Sequence, residues 1–420
     1  MKVLIKNALI IHNGSPYHNK KKDILISNGK IIRIDSGIEE TGTVIRGKKL
    51  MASIGWFDMR ANFSDPGQEH KEDILTGCET AAAGGFTGVA LLPNTKPSIQ
   101  SKNDISYVLS KATGCLTDIY PYGSVTKDNK GEEITEMIDQ HYAGAVAFTD
   151  GENPIWNSDI MLKALLYVEK FKGLIIDVPK ERWLNLLGHM HEGHTSTILG
   201  TKGLPGIAEE IMIERDLRIL EYAGGKLHFS NISTGESVKL IKKAKKEGLD
   251  VTCDIAAHQI AFNDSDLIDF DTNLKVNPPF REQKDIKALI KGLEDGTIDM
   301  IVSSHTPQDT ESKVLEFDHA DFGITGLQTV LPILVDKLDA DNWDLFLEKI
   351  TINPRRRLGL PVPEINIGKL ANITVFDPTV EWIFDEKTNR SKSLNSPFLG
   401  KKLKGKVLAV FNKGKERIFL

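Results

Sequence analysis

Cysteine is nearly missing from this chain: Cys78, Cys115 and Cys253 are all that 420 residues contain. Three scattered thiols exclude a disulfide framework and any Cys-x-x-Cys metal site, and they fit a reducing compartment. Long apolar runs are missing too, since no stretch approaches the ~18 residues that a membrane span needs. The start, Met1-Lys2-Val3-Leu4-Ile5-Lys6, has neither the apolar core nor the small-residue cleavage site of a secretory leader. There is no excess of positive charge: 53 Lys and Arg stand against 58 Asp and Glu, a formal net charge of −5. That balance argues against a general nucleic-acid binder, and groups such as Lys242-Lys243-Ala244-Lys245-Lys246 read as solvated helix faces. The expectation is a cytoplasmic protein with no membrane and no nucleic acid among its partners.

What is there is ordinary for a globular chain, at 40% hydrophobic and 26% charged residues, and long enough for one large domain and a smaller one. The first ~50 residues are short β-type runs, Val3 to Ile11, Asp23 to Ser27 and Ile31 to Ile34, with hairpin signals at Asn13-Gly14 and Asn28-Gly29. The last ~50 repeat that texture, with Ala371 to Phe376, Lys406 to Phe411 and then Asn412-Lys413-Gly414. Between them, apolar runs alternate with amphipathic helical stretches such as Asp285 to Glu294. The candidate strands are Ile54–Met59, Gly88–Leu92, Ile119–Val125, Ala143–Phe148, Gly173–Val178, Lys226–Ile232, Asp250–Ile255 and Asp299–Ser304. Eight apolar runs with helical connections fit an α/β fold of the (β/α)8 TIM-barrel type better than an open sheet. The expected organisation is a barrel over 51–362, with 1–50 and 363–420 forming one small β-sandwich domain.

Function in such a barrel sits where strands end and βα loops begin. That rule selects Arg60, Asn62, Asn94, Asp150, Asp177, Asn231, Asp254, and Ser304 with His305. They are polar, yet hardly a histidine is among them.

One segment, Asp58-Met59-Arg60-Ala61-Asn62-Phe63-Ser64-Asp65-Pro66-Gly67, resembles the Asp-x-His-x-His-x-Arg-x-Pro-Gly signature of the dihydroorotases, within the amidohydrolase superfamily. The frame is kept at Asp58, Pro66 and Gly67, while Arg60 and Asn62 replace both histidines and Ser64 replaces the arginine. Other blocks are similar to the same family: Ala81 to Thr87 with Pro93 to Pro97, Gly203-Leu204-Pro205-Gly206-Ile207, Asn273 to Arg281, Phe322 to Thr329, Asn353-Pro354, and Ser391-Lys392-Ser393 with Pro397-Phe398 and Gly400. The likeness is to the bacterial multifunctional-complex type.

The resemblance implies a zinc centre held by two histidines after strand one, an aspartate after strand four and histidines after strands five and six, with a catalytic aspartate after strand eight. Residue by residue, those positions carry Arg60, Asn62, Asp150, Asp177, Asn231 and Ser304, so the aspartate of strand four alone is retained. The residues expected to hold a substrate carboxylate have become Ser64 and Gln308, whereas Asn94 and Asn277 persist. Neutral amides are poor zinc ligands and a guanidinium is a fixed cation, so zinc is not supported and no catalytic residue is assigned. The expectation is a vestigial site of Arg60, Asn62, Ser64, Asn94, Asp150, Asp177, Asn231, Asp254, Asn277, Ser304, His305 and Gln308. Within it, Arg60 is expected to bridge Asp150 and Asp177 in place of the metal.

Magnitude decides the functional expectation. A metal lowers the pKa of water by roughly 8–9 units, equivalent to about 11–12 kcal/mol, while a placed general base supplies ~10²–10⁴-fold, or about 3–5 kcal/mol. The expectation is a catalytically inactive dihydroorotase-like protein of pyrimidine biosynthesis. The resemblance further implies support of aspartate carbamoyltransferase in a complex, and pairing into a homodimer. Two alternatives stay open: an active cyclic amidohydrolase interconverting carbamoyl aspartate and dihydroorotate, and a small-molecule binding module using the barrel mouth. His189, His191 and His194 read as a surface loop group. His258 and His305 read as buried, hydrogen-bonded structural residues, and Asp254 as paired within the barrel.

Overall fold

The computed structural model describes residues 2–338 and 342–419. Apolar residues at alternate positions set the first strand, β1 (Lys2–Ile11), where Val3, Ile5, Ala8 and Ile10 are buried. It pairs antiparallel with β2 (Lys21–Ser27), which pairs with β3 (Lys30–Asp35). Asn28 and Gly29 make the tight turn between β2 and β3 at φ 49° and 73°, as a two-residue hairpin of twisted strands requires. Asn13-Gly14 does not form the expected hairpin. Neither residue takes a positive φ, and the chain instead makes a series of turns from His12 to Lys20.

β4 (Thr43–Ile45) and β5 (Met51–Ile54) both pair parallel with β1, at its two ends. Gly55 separates β5 from β6 (Trp56–Ala61), so the expected strand Ile54–Met59 is two strands belonging to different sheets. The barrel continues through β7 (Phe86–Leu91), β8 (Asp118–Pro121) and β9 (Ile175–Asp177). A short ladder of β10 (Met190–His191) with β11 (Gly203–Leu204) stands apart from it. β12 (Leu227–Phe229), β13 (Val251–Ala256) and β14 (Met300–Val302) complete the staves.

All barrel pairings are parallel. The fourth stave is reduced to Phe148, which bridges Gly123 on one side and Ile175 on the other. The expected strand Ala143–Phe148 is shortened because helix Met137–Ala143 takes its first residue and ends at Gly144, φ 115°. The ring closes through a bridge between Ala61 and His305. Inside it pack Phe57, Met59, Ala90, Tyr122, Ile176 and Met300. A larger apolar layer, including Trp56, Phe86, Ile175, Leu227 and Ile241, separates the staves from the surrounding helices. The molecule is thus a (β/α)8 barrel, and its staves coincide in place with the eight apolar runs of the sequence.

Both ends of the chain share the other sheet. β15 (Ile373–Phe384) pairs with β5, β16 (Lys401–Asn412) with β15, and β17 (Lys415–Ile418) with β16. The order is β17-β16-β15-β5-β1-β2-β3, with β4 beside β1. This sheet covers a separate core that draws Ile5 and Ile10 from one end and Ile373, Val375 and Phe411 from the other. No helix among the described residues is long and apolar enough to cross a membrane.

Candidate functional site at the barrel mouth

The polar residues selected from the strand ends do converge on the mouth. Arg60 lies near the end of β6, where the register with β7 shifts between Asp58 and Ala61. It is 4% exposed. Its Nη1 donates at 3.4 Å to the Gly151 carbonyl and to Ser230 Oγ, and its Nε has no partner. Burial lowers its pKa, against the pull of Asp254 and Glu152.

Arg60 makes no hydrogen bond or ion pair within 4 Å to Asp150 or Asp177, so the expected bridge is not formed. Asp150 has both oxygens engaged locally, whereas Asp177 has one, its buried Oδ2 being without a hydrogen-bond partner. Asp150 accepts from the Thr126 backbone N–H at 2.8 Å and from Thr126 Oγ1 at 2.5 Å. Burial raises its pKa to about 7, the Asp177 charge adding to that. Asp177 Oδ1 accepts from the Ile155 N–H at 2.8 Å. Burial raises the Asp177 carboxyl and that of its neighbour Asp216 on helix Ile207–Ala223. Arg215 holds Asp216 Oδ1 with two bonds, at 2.9 and 2.6 Å.

Asp254 on β13 is paired as expected. It accepts from His228 Nε2 at 2.8 Å, Ser230 Oγ at 3.0 Å and the Asn231 N–H at 2.6 Å. Asn231, at φ 56°, donates its amide to Ser304 Oγ at 2.8 Å, and Ser304 itself stands at φ 47°. Asn62 accepts from the Ser64 N–H and donates to the Asn94 carbonyl and Glu152 Oε1. Asn94 ties the loop after stave four by donating to the Asp150 carbonyl and accepting from the Glu152 N–H. Gln308 bonds Lys71 Nζ and the Phe322 carbonyl. Most of these amides therefore brace loops.

His305 is fully buried: Nδ1 accepts from the Gly326 N–H at 3.2 Å, and Nε2 lies 3.6 Å from Glu72 Oε2. The expectation of a buried, hydrogen-bonded residue fits at Nδ1, while the buried Nε2 has no hydrogen-bond partner. His258 departs from that expectation, because its buried Nδ1 has no partner, and burial drives its pKa down to about 3. Its ring stands at 87° to that of Phe280, with 5.7 Å between centroids. His189, His191 and His194 do not form a common group. His191 is buried on β10 with Nδ1 3.1 Å from Arg281 Nη1, because the β10–β11 ladder carries it inward.

Sequence reasoning passed over Lys180 and Glu152. Lys180 lies three residues past the Asp177 end of β9 and is only partly exposed; burial lowers its pKa to about 8, helped by Arg60. Its place in a βα loop was the signal that could have found it. Arg60, Lys180, Glu152, His258, Asn277 and Ser304 line one cavity of about 220 Å³. A wider, rim-level cavity of about 620 Å³ reaches from Asn62, Ser64 and Asn94 to Gln308, and Glu152 and Asn153 line both.

The residues at the mouth do not fit zinc. A cation and two amides stand at the positions of the family's ligands, Asp150 has both oxygens engaged by Thr126, and Asp177 has one engaged by the Ile155 N–H. Among the described residues no group of three or more His, Cys, Asp or Glu is placed to hold a metal ion.

A family model described as Dihydro-orotase-like matches residues 48–237. A protein named Dihydroorotase from Geobacter sp. (strain M21) is 39% identical over 419 residues, covering 99% of this chain and 98% of its own length. Another of that name, from Ruminiclostridium cellulolyticum, is 40% identical over 410 residues, covering 96% of each. Among solved structures, an L-hydantoinase (dihydropyrimidinase) from Arthrobacter aurescens superposes with a TM-score of 0.83 at 22% identity, covering 100% of this chain and 97% of that one. A dihydropyrimidinase from Brevibacillus agri gives 0.81 at 20% identity, covering 100% and 95%. At such identities the structural likeness speaks for the fold alone.

Proposed function

This chain belongs to the dihydroorotase family, and from that premise we propose that its barrel mouth no longer performs metal-dependent amide hydrolysis. The observation that carries this is Arg60: a buried guanidinium stands at the position of the family's first ligand, while Asp150 and one oxygen of Asp177 are tied to Thr126 and Ile155. The strongest remaining base is Lys180, held at about 8. A general base of that kind supplies ~10²–10⁴-fold, well short of the roughly 8–9 pKa units that a metal takes from bound water. We place the protein in pyrimidine biosynthesis, in the cytosol, as a homodimer that supports aspartate carbamoyltransferase structurally or as a regulator. The partner and the pairing rest on family resemblance alone.

A second reading, an active dihydroorotase, is favoured by one observation. Relatives bearing that name match this chain at 39–40% identity over nearly its whole length. Assay of the purified protein in both directions, with carbamoyl aspartate and with dihydroorotate, separates the two. With zinc, manganese or cobalt added, the proposal expects no turnover above buffer. Turnover that rises with metal and disappears in Asp150→Ala would establish the second reading instead.

A further inference from the structure

We propose that the floor of the barrel mouth is an oxyanion site that takes the carboxylate of a small organic acid between Arg60 and Lys180. The inference rests on the reading that the floor no longer holds a metal. Its first support is the state of the Arg60 fork. Only Nη1 is engaged, in two long bonds of 3.4 Å, while Nε is buried without a partner and Nη2 donates to no described residue. Nε and Nη2 form the edge of a guanidinium that matches a planar carboxylate with two parallel bonds. A buried guanidinium nitrogen left open, as Nε is, is unusual, since nearly all buried polar groups are paired.

Lys180 provides the second cation. Its ammonium makes no hydrogen bond, and no ion pair within 4 Å, to any described residue, and it lines the same cavity of about 220 Å³ as Arg60. The nearby acids do not neutralise the pair by contact. Asp254 has its oxygens engaged by His228, Ser230 and Asn231, Glu152 accepts from Asn62, and Asp177, which draws on Lys180 and keeps an unpartnered Oδ2, makes no ion pair with either cation within 4 Å.

The rest of the wall defines the ligand further. Asn277 Oδ1 and His258 Nδ1 are both unpaired, so a ligand carrying a hydroxyl or amide N–H beside its carboxylate would satisfy the asparagine as well. Glu152 on the same wall opposes a doubly charged phosphate. The rim carries charges of both signs, Lys71 and Lys96 with Asp128 and Asp321, so it is Arg60 and Lys180 that place the carboxylate at the floor.

Calorimetric titration of the full chain with L-lactate, propionate and inorganic phosphate tests this. One lactate per chain is expected, with propionate weaker and phosphate weaker still by roughly tenfold or more. Arg60→Gln should weaken lactate by about tenfold or more, and Arg60→Lys, which keeps the charge but not the fork, by less. Lys180→Gln is the companion variant, because Lys180 is partly exposed and its replacement leaves the buried network intact; it too should lose affinity. No heat with either carboxylate, or heat unchanged in both Arg60→Gln and Lys180→Gln, overturns the inference and leaves the non-hydrolytic reading standing. Metal-stimulated turnover of dihydroorotate overturns that reading instead, so the two failures are distinguishable.

Discussion

His258 carries its charge state as a liability. The folded protein keeps its ring neutral down to about 3, against 6.5 for an ordinary imidazole. Below 6.5 the unfolded chain takes up a proton that the folded one refuses. The stability present above that pH is therefore lost as pH falls, by about 1.4 kcal/mol per pH unit until about 3. Asp58 and Asp150 run the other way. Both carboxyls are held at about 7, chiefly by burial, so their contribution is full below the ordinary carboxylate pKa and is lost as pH rises through about 7. Comparing wild type with His258→Gln cancels the two acids. The variant should lose less melting temperature than wild type between about pH 7 and about pH 5, and parallel slopes would show that His258 does not titrate on unfolding. At this scale the strand-end rule, which needs only the apolar runs, selected Arg60, Asn62, Asn94 and Ser304, which line the cavities at the mouth. It did not reveal which donor each acid would find. Asp150 and Asp177 turned to Thr126 and Ile155, backbone donors in loops whose path no local pattern specifies, and this is why Arg60 lacks the partners expected of it.

At the scale of the element, Gly55 is where the chain leaves the terminal sheet and enters the barrel. A Cβ there would lie 2.1 Å from Thr87 Oγ1 and 2.2 Å from Asn372 Oδ1, two atoms already bonded to each other at 2.8 Å. Gly55→Ala should cost about 1–3 kcal/mol through this overpacking, read as a lower urea midpoint with an unchanged slope. An unmoved midpoint would mean that the junction has room to relax. The staves were legible because parallel strands buried on both faces are continuous apolar runs. The shortened fourth stave was not, since Ala143 to Phe148 is apolar enough for either state, and the helix end at Gly144 settles it. Asn28-Gly29 and Asn13-Gly14 look alike as dipeptides, yet one alone sits between strands in pairing register.

For the whole molecule, the question is whether the barrel stands without its companion sheet. β15 pairs with both β5 and β16, so a chain ended after residue 362 would leave β5 as an open edge over a half-covered core. Exposed strand edges of that kind template association. We expect this truncated protein to elute as aggregate in size-exclusion chromatography, and a monodisperse peak would show that the barrel closes alone. That the two ends would share a sheet was visible in their matching β texture. Their order within it was not, because pairing between residues more than 300 positions apart leaves no local trace.

That distance has a consequence for how the protein is made. Ile54 pairs with Ile373, so the fifth strand emerges from the ribosome long before its neighbour exists. At ordinary rates of synthesis, roughly 5–20 residues per second, the gap lasts from about a quarter of a minute to a minute. During that interval the nascent chain carries an unfinished sheet ahead of a barrel still being assembled, a vectorial delay written into the topology and independent of any chemistry at the mouth.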